Sequence, residues 1–246
     1  MNRDFAETYG ALEQWHWWFR GRQHILETVL RKELAKGSAR TVLSVGCGPI
    51  EGLTWISSLV APTGYVVGLD SEPSHVRCAR PGISSVVGRV ETLPFASCSF
   101  DMVMALDVLE HMADDDAGLR EMSRVLKPGG LLMVTVPALP SLWGEHDVVN
   151  HHQRRYTKQT LLRVFTNVRL PRPRVTYFNT VLFPVVAGMR WGRRLFGITD
   201  KSASDFEGGR PGLMNDLLTA TFALERHFVQ RVPMPVGVSL LATVRL

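Results

Sequence analysis

Val42-Leu43-Ser44-Val45-Gly46-Cys47-Gly48-Pro49 is a run of mostly β-branched and apolar residues that ends in a Gly-x-Gly turn. A strand covered on both faces comes first. The two glycines then let the backbone approach a ligand closely, and a helix can start behind them. Outward from this stretch, the pattern of a short apolar run recurs at Tyr65 to Leu69, Ser85 to Val87, Met102 to Leu106 and Leu131 to Val136. Helix-like periodicity fills the connections, which is the mark of βαβ units and a parallel sheet. The second run ends at Asp70, 22 residues beyond Gly48. That spacing puts an acid at the next strand end, where ribose hydroxyls donate to a carboxylate. A dinucleotide fingerprint needs a third glycine at position 51, but Glu51 stands there, so a nicotinamide cofactor is disfavoured.

The chain has 246 residues, 45% of them hydrophobic and 21% charged, enough to bury one sizeable core. Uninterrupted apolar runs stay well short of a membrane span, and Met1 to Gly10 is polar and mixed in charge, so neither a span nor a secretory signal is expected. A cytoplasmic protein is the expectation. Cys47, Cys78 and Cys98 lie far apart without a CxxC pair, which argues against a disulfide framework or a zinc ribbon. The net charge of +5 is uneven: acids gather in Asp114 to Asp116, whereas bases gather in Arg154 to Lys158, Arg169 to Arg174 and Arg190 to Arg194. The C-terminal half is therefore the expected partner surface.

Leu12 to Ala35 reads as a helix carrying Trp15, Trp17, Trp18 and Phe19, and Gly37-Ser38 marks the start of the core. Behind the fifth run, Trp143 to Tyr156 reads as a long polar loop and Thr157 to Phe165 as a short helix. Arg174 to Asn179 reads as a sixth strand, and Val238 to Arg245 as a seventh that could return antiparallel. Between them lie two helical patterns, Val181 to Phe196 and Leu213 to Arg231, joined by the Gly- and Ser-rich stretch Thr199 to Gly212. Residues 1–36 are thus expected to form a cap, 37–180 the cofactor-binding core, 181–232 a helical lid whose two helices pack together, and 233–246 the last strand of a single domain.

Further blocks carry a resemblance. Val42 to Pro49 and Gly68-Leu69-Asp70 are followed by Glu91-Thr92-Leu93-Pro94-Phe95, Ser99-Phe100-Asp101, Asp107-Val108-Leu109-Glu110-His111 and Arg124-Val125-Leu126-Lys127-Pro128-Gly129-Gly130. In that order, over residues 40 to 137, they resemble the class I methyltransferases of the type 11 group. Trp15 to Arg22, His152 to Thr157 and Tyr177 to Pro184 extend the likeness to a narrower bacterial subgroup with lipid-like or secondary-metabolite acceptors. The resemblance implies an α/β fold with a Rossmann-like seven-stranded sheet, an N-terminal helical cap and a helical lid between strands 6 and 7. It implies S-adenosylmethionine as cofactor and S-adenosylhomocysteine as product, held by Gly46, Cys47, Gly48, Asp70, Ser71, Val90, Glu91, Asp107 and His111. Three positions depart from the family pattern: Ser44 replaces an acid, Ile50 aligns with the third glycine unless Gly52 substitutes, and Arg89 stands at the commonly acidic adenine position.

Methyl transfer needs a nucleophile held in line with the sulfonium and a base where that nucleophile carries a proton. Glu145, His146 and His152 are the expected bases, and Arg154 and Arg155 the expected clamp for an anionic group of the acceptor. Trp18, Phe19, Trp143 and Tyr177 complete the expected acceptor pocket. No metal is expected, because the stretch from Glu145 to His152 lacks a helical HExxH pattern. Nucleic acid is disfavoured as a partner: Asp107-Val108-Leu109-Glu110 stands where a base-flipping enzyme of this type carries Asn/Asp-Pro-Pro-Tyr. The basic end of 181–196 permits peripheral membrane contact. Two functions compete, methyl transfer to a small hydrophobic or amphipathic acceptor at carbon, nitrogen or oxygen, and an inactive module that keeps the fold for binding or regulation.

Overall fold

Four of the five residues of β1 (Thr41–Val45) are buried, and their side chains alternate between two apolar layers. The chain is described here by a computed structural model covering residues 11–34, 40–60, 63–76, 81–197 and 210–246. Gly37-Ser38 and most of Thr199 to Gly212 lie outside the described residues. β1 is flanked by parallel strands β2 (Tyr65–Asp70) and β4 (Phe100–Leu106), with β3 (Ile83–Val87) outside β2 and β5 (Leu126–Pro137) outside β4. β7 (Ser239–Arg245) inserts antiparallel between β5 and β6 (Arg174–Phe178), giving the order β3-β2-β1-β4-β5-β7-β6. The alternating apolar pattern of Val238 to Arg245 finds its place here: Leu240 and Ala242 face one layer and Leu241 the other.

One face of the sheet is covered by α3 (Asp115–Val125) and α5 (Lys158–Asn167), which contribute Leu119, Met122, Val125, Leu161 and Phe165. Each of these two helices starts at a side-chain cap, Asp114 accepting from the Ala117 N–H and Thr157 from the Thr160 N–H. The other face is covered by α1 (Trp17–Leu34), the 3-10 turn Ile50–Leu53, α2 (Thr54–Ser57) and α7 (Leu213–Ala223). The expected N-terminal helix is broken at His16: residues 11–15 are helical and α1 begins after the break.

The lid differs from expectation. α7 lies along α1, where Gly21 admits the Phe222 ring; a Cβ there would fall 2.4 Å from Phe222 Cδ1. α6 (Phe183–Leu195) instead seats on the 3-10 turn Pro140–Leu142, held by Arg190 donating to the Leu142 carbonyl at 2.5 Å and Trp191 Nε1 to the Ser141 carbonyl at 3.1 Å. The two helices take different partners because the core face of α7 is shaped for α1. A third difference is α4 (Glu145–Val149), which forms inside the segment expected to be loop. Among the described residues, no helix is long and apolar enough to cross a membrane.

Candidate active site

The carboxyl ends of the strands open into a cleft of about 1690 Å³. That exceeds the ~300–1000 Å³ usual for one small ligand. Gly46 (φ +56°) and Gly48 (φ +62°) follow β1 in the left-handed region. A Cβ on Gly46 would sit 2.7 Å from Val108 Cγ2, whereas a Cβ on Gly48 would project into open cleft. Asp70, at the end of β2, accepts from the Gly48 N–H at 2.8 Å through Oδ2 and from the Glu72 N–H at 2.9 Å through Oδ1, and His75 Nδ1 lies 3.2 Å from the same Oδ1. Burial pushes this carboxyl up, but His75 and the two backbone N–H groups outweigh it, so its pKa falls below the ordinary value. A preformed anion beside a cradle that lacks Cβ atoms suits a ribose-bearing cofactor.

The family departures leave this cradle open. Ser44 is buried in β1, Ile50 is buried beneath the turn, and the exposed Arg89 side chain turns to Glu91 at 3.1 Å. Gly52 serves a different purpose from the one expected, making room for Glu13, whose Oε2 would lie 2.2 Å from a Cβ there.

Over the cradle runs α1. Arg22, which the sequence reading did not single out, donates from one guanidinium nitrogen to Asp107 Oδ2 at 2.5 Å. Its guanidinium carbon lies 4.4 Å from the Trp18 ring centroid and 5.5 Å from that of Phe19. Asn215 of α7 ties down the break before α1, accepting from the Trp17 N–H at 2.8 Å and donating to the Trp15 carbonyl at 2.7 Å. Asp107 (φ +57°), Leu139 (φ +60°) and Asn179 (φ +56°) follow β4, β5 and β6 in the left-handed region that costs a non-glycine residue about 1–3 kcal/mol. Packing on both sides of the sheet holds them there.

The far wall is built from charge. Asp147 of α4 is fully buried and receives the Gly144 N–H at 2.9 Å, Arg155 Nε at 2.8 Å and His152 Nδ1 at 2.8 Å, with Arg190 of α6 at 3.5 Å. Burial alone would raise its pKa, yet the His152 hydrogen bond and the two guanidinium groups drive it far below the carboxylate range. His152 therefore has one ring nitrogen fixed by an anion, in the manner of an oriented catalytic histidine. Its ring meets His111 edge to face at 4.8 Å and His146 at 5.9 Å. Burial, aided by neighbouring His152, lowers the pKa of His111 to about 4. Glu110 is fully buried, and burial together with the Asp107 charge raises its carboxyl well above the usual range.

The cleft is lined by Gly46, Cys47, Gly48, Asp70, Ser71, Val90, Glu91, Asp107 and His111, and by Trp18, Phe19, His146 and His152. Five expected site residues are placed otherwise. Tyr177 is buried in β6 within the layer covered by α3 and α5, and Glu145 opens α4 away from the cleft lining. Trp143 also lies off the lining, its carbonyl taking a hydrogen bond from Arg194 at 2.8 Å. Arg154 is bound to Asp115 at 3.1 Å and to the Ala113 carbonyl at 3.1 Å. Arg155 touches the cleft, but its guanidinium is spent on Asp147 and on the Ala138 carbonyl at 2.8 Å. Both guanidinium groups are thus engaged within the protein. Arg22 was missed because its partner Asp107 comes from a distant segment, and Glu110 because only the fold shows it fully buried.

Residues 43–134 match the family described as a methyltransferase domain. A Mycolicibacterium smegmatis protein named as a probable S-adenosylmethionine-dependent methyltransferase is 32% identical over 133 residues, covering 53% of this chain and 49% of that one. A Listeria monocytogenes demethylmenaquinone methyltransferase is 32% identical over 136 residues, covering 52% and 56%. The chain spans about half the length of the curated relatives it matches. Its fold is similar to a solved complex of the Haloferax volcanii Trm112 methyltransferase activator with a methyltransferase, at TM-score 0.60 and 20% identity over 98% of this chain and 93% of that one. Over residues 43–134 the core is thus similar to a class I methyltransferase domain of the type 11 group, and the relatives matched include proteins named for S-adenosylmethionine dependence.

Proposed function

We propose that the chain transfers a methyl group from S-adenosylmethionine to a small amphipathic acceptor. The observation that carries this is the continuity of the cleft from Gly46, Gly48 and Asp70 to His146 and His152. The bound cofactor supplies an electrophilic methyl on a sulfonium. Asp70 would accept from the ribose hydroxyls, the Gly46–Gly48 backbone would carry the cofactor's amino-acid end, and the turn at Val90 and Glu91 would border the adenine. Trp18 and Phe19 shield the sulfonium from water, and a histidine of the far wall takes the acceptor's proton.

The rim supports an amphipathic acceptor. Val185 and Met189 of α6 and Leu213 and Met214 of α7 are exposed and line the mouth together with Arg193 and Arg210. Apolar side chains beside cations suit a hydrophobic body with an anionic group, and the same rim is the face we propose meets a lipid surface when the acceptor is membrane-borne. Calorimetric titration tests the cofactor step: micromolar binding of both S-adenosylmethionine and S-adenosylhomocysteine is expected. A folded chain that binds neither would overturn the proposal.

A further inference from the structure

We propose that Glu110, His111 and His152 form a site for one divalent transition-metal cation in the acceptor half of the cleft. The inference rests on the methyl-transfer reading and deepens it, since the cation selects an acceptor that carries a hydroxyl. Each of the three residues offers a donor atom, and these donors lie within 4.8 Å of one another. Glu110 is fully buried, and among the described residues neither of its carboxyl oxygens has a hydrogen-bond partner. Buried carboxyl oxygens are rarely left so. A protonated Glu110 would remove the charge but still leave a donor and an acceptor unmet; a cation satisfies the carboxylate and both imidazoles together.

The imidazoles are prepared for this. His152 Nδ1 is engaged by Asp147 Oδ1 at 2.8 Å, and the His111 ring makes a backbone hydrogen bond to His151. Each ring thus has one nitrogen fixed by an outer acceptor and the other available, the arrangement that orients histidines toward metals. Two imidazoles and one carboxylate suit zinc, manganese or cobalt, and three protein ligands leave positions open to the cleft. Bond lengths of about 2.0–2.2 Å place tetrahedral donors about 3.4 Å apart, so the donors close by side-chain rotation when the cation enters. Residue spacing carries no mark of this set, because its ligands come from the 3-10 turn Leu109–His111 and from the segment behind α4, not from one helix.

An acceptor hydroxyl bound at the open position becomes more acidic. Its O–H bond breaks, the proton passes to His146, which lines the same cleft, and the oxygen forms a bond to the methyl as the S–CH₃ bond breaks. S-adenosylhomocysteine leaves as the neutral thioether.

The test uses the purified chain, stripped with chelator, then titrated with Zn²⁺ by calorimetry and with Co²⁺ by visible absorption. S-adenosylmethionine affinity is measured on the same samples. The expected result is about one equivalent bound at micromolar affinity or tighter, weakened at least about tenfold by Glu110→Gln and by His152→Ala, with cofactor affinity changed less than about twofold. His152→Ala serves should Glu110→Gln fail to fold. A wild-type chain that binds S-adenosylmethionine but neither cation overturns the site, as does cation binding undiminished in both variants. A chain that binds the cation yet not S-adenosylmethionine supports the site and overturns the methyl-transfer reading instead.

Discussion

The two halves of the cleft are built by different means. On the cofactor side the geometry comes from backbone: two left-handed glycines, the N–H of Gly48 and one carboxylate at a strand end. On the acceptor side it comes from side chains, with Asp147, Arg155, Arg190 and His152 gathered from three separate segments around one buried carboxylate. A backbone cradle needs only a local sequence, so substitutions there should change affinity and leave the fold standing. A buried ionic cluster is part of the fold itself, and damage to it should spread.

Asp147→Ala is the most severe way to break this contrast. It strands two buried guanidinium groups, and the expected loss is about 3–5 kcal/mol of stability in urea unfolding. A loss under about 1 kcal/mol would show that the cluster is not what holds the wall. Asp70→Ala should come next, weakening S-adenosylmethionine binding by about 1.5–3 kcal/mol, roughly ten- to a hundredfold by calorimetry. Stability should change little; a variant that unfolds before it loses affinity would erase the distinction between the halves.

The smallest effect belongs to the cap that joins them. His16 is buried at the helix break, where its Nδ1 accepts from the Trp18 N–H at 3.3 Å, and burial pushes its pKa down to about 4. Unfolded, the ring titrates near 6.5. Between those values the unfolded chain holds the extra proton, so this contribution to stability is present above about pH 6.5 and is lost as the pH falls toward 4. His16→Gln should flatten the decline of the urea midpoint between about pH 6.5 and 5; an unaltered slope would place the sensitivity elsewhere.

The same contrast explains what could be read from the amino acids alone. β1, with its glycines and the acid 22 residues on, was legible because every determinant lies within one βαβ unit. The antiparallel return of β7 was legible from a strict alternation of apolar residues. The role of Asp147 was not, because α4 is five residues long and its partners Arg155 and Arg190 belong to other segments. Arg155 looked like an anion clamp for the same reason: in sequence it is a basic residue beside a histidine run, and only the fold supplies its counter-ion. Arg22 and Glu110 follow suit, one finding Asp107 across the cleft and the other buried in the turn after β4.

The Arg22–Asp107 contact ties the N-terminal helix to the sheet. It bridges the N-terminal helix to the end of β4 directly across the mouth of the cradle, with the Trp18 ring against the guanidinium. On the proposed function, a spent cofactor beneath α1 departs only when that bridge parts and the helix lifts. Turnover frequency would then follow the opening rate of the roof rather than the speed of methyl transfer. Loosening the bridge should trade residence time for exchange rate, making the N-terminal segment a governor of throughput.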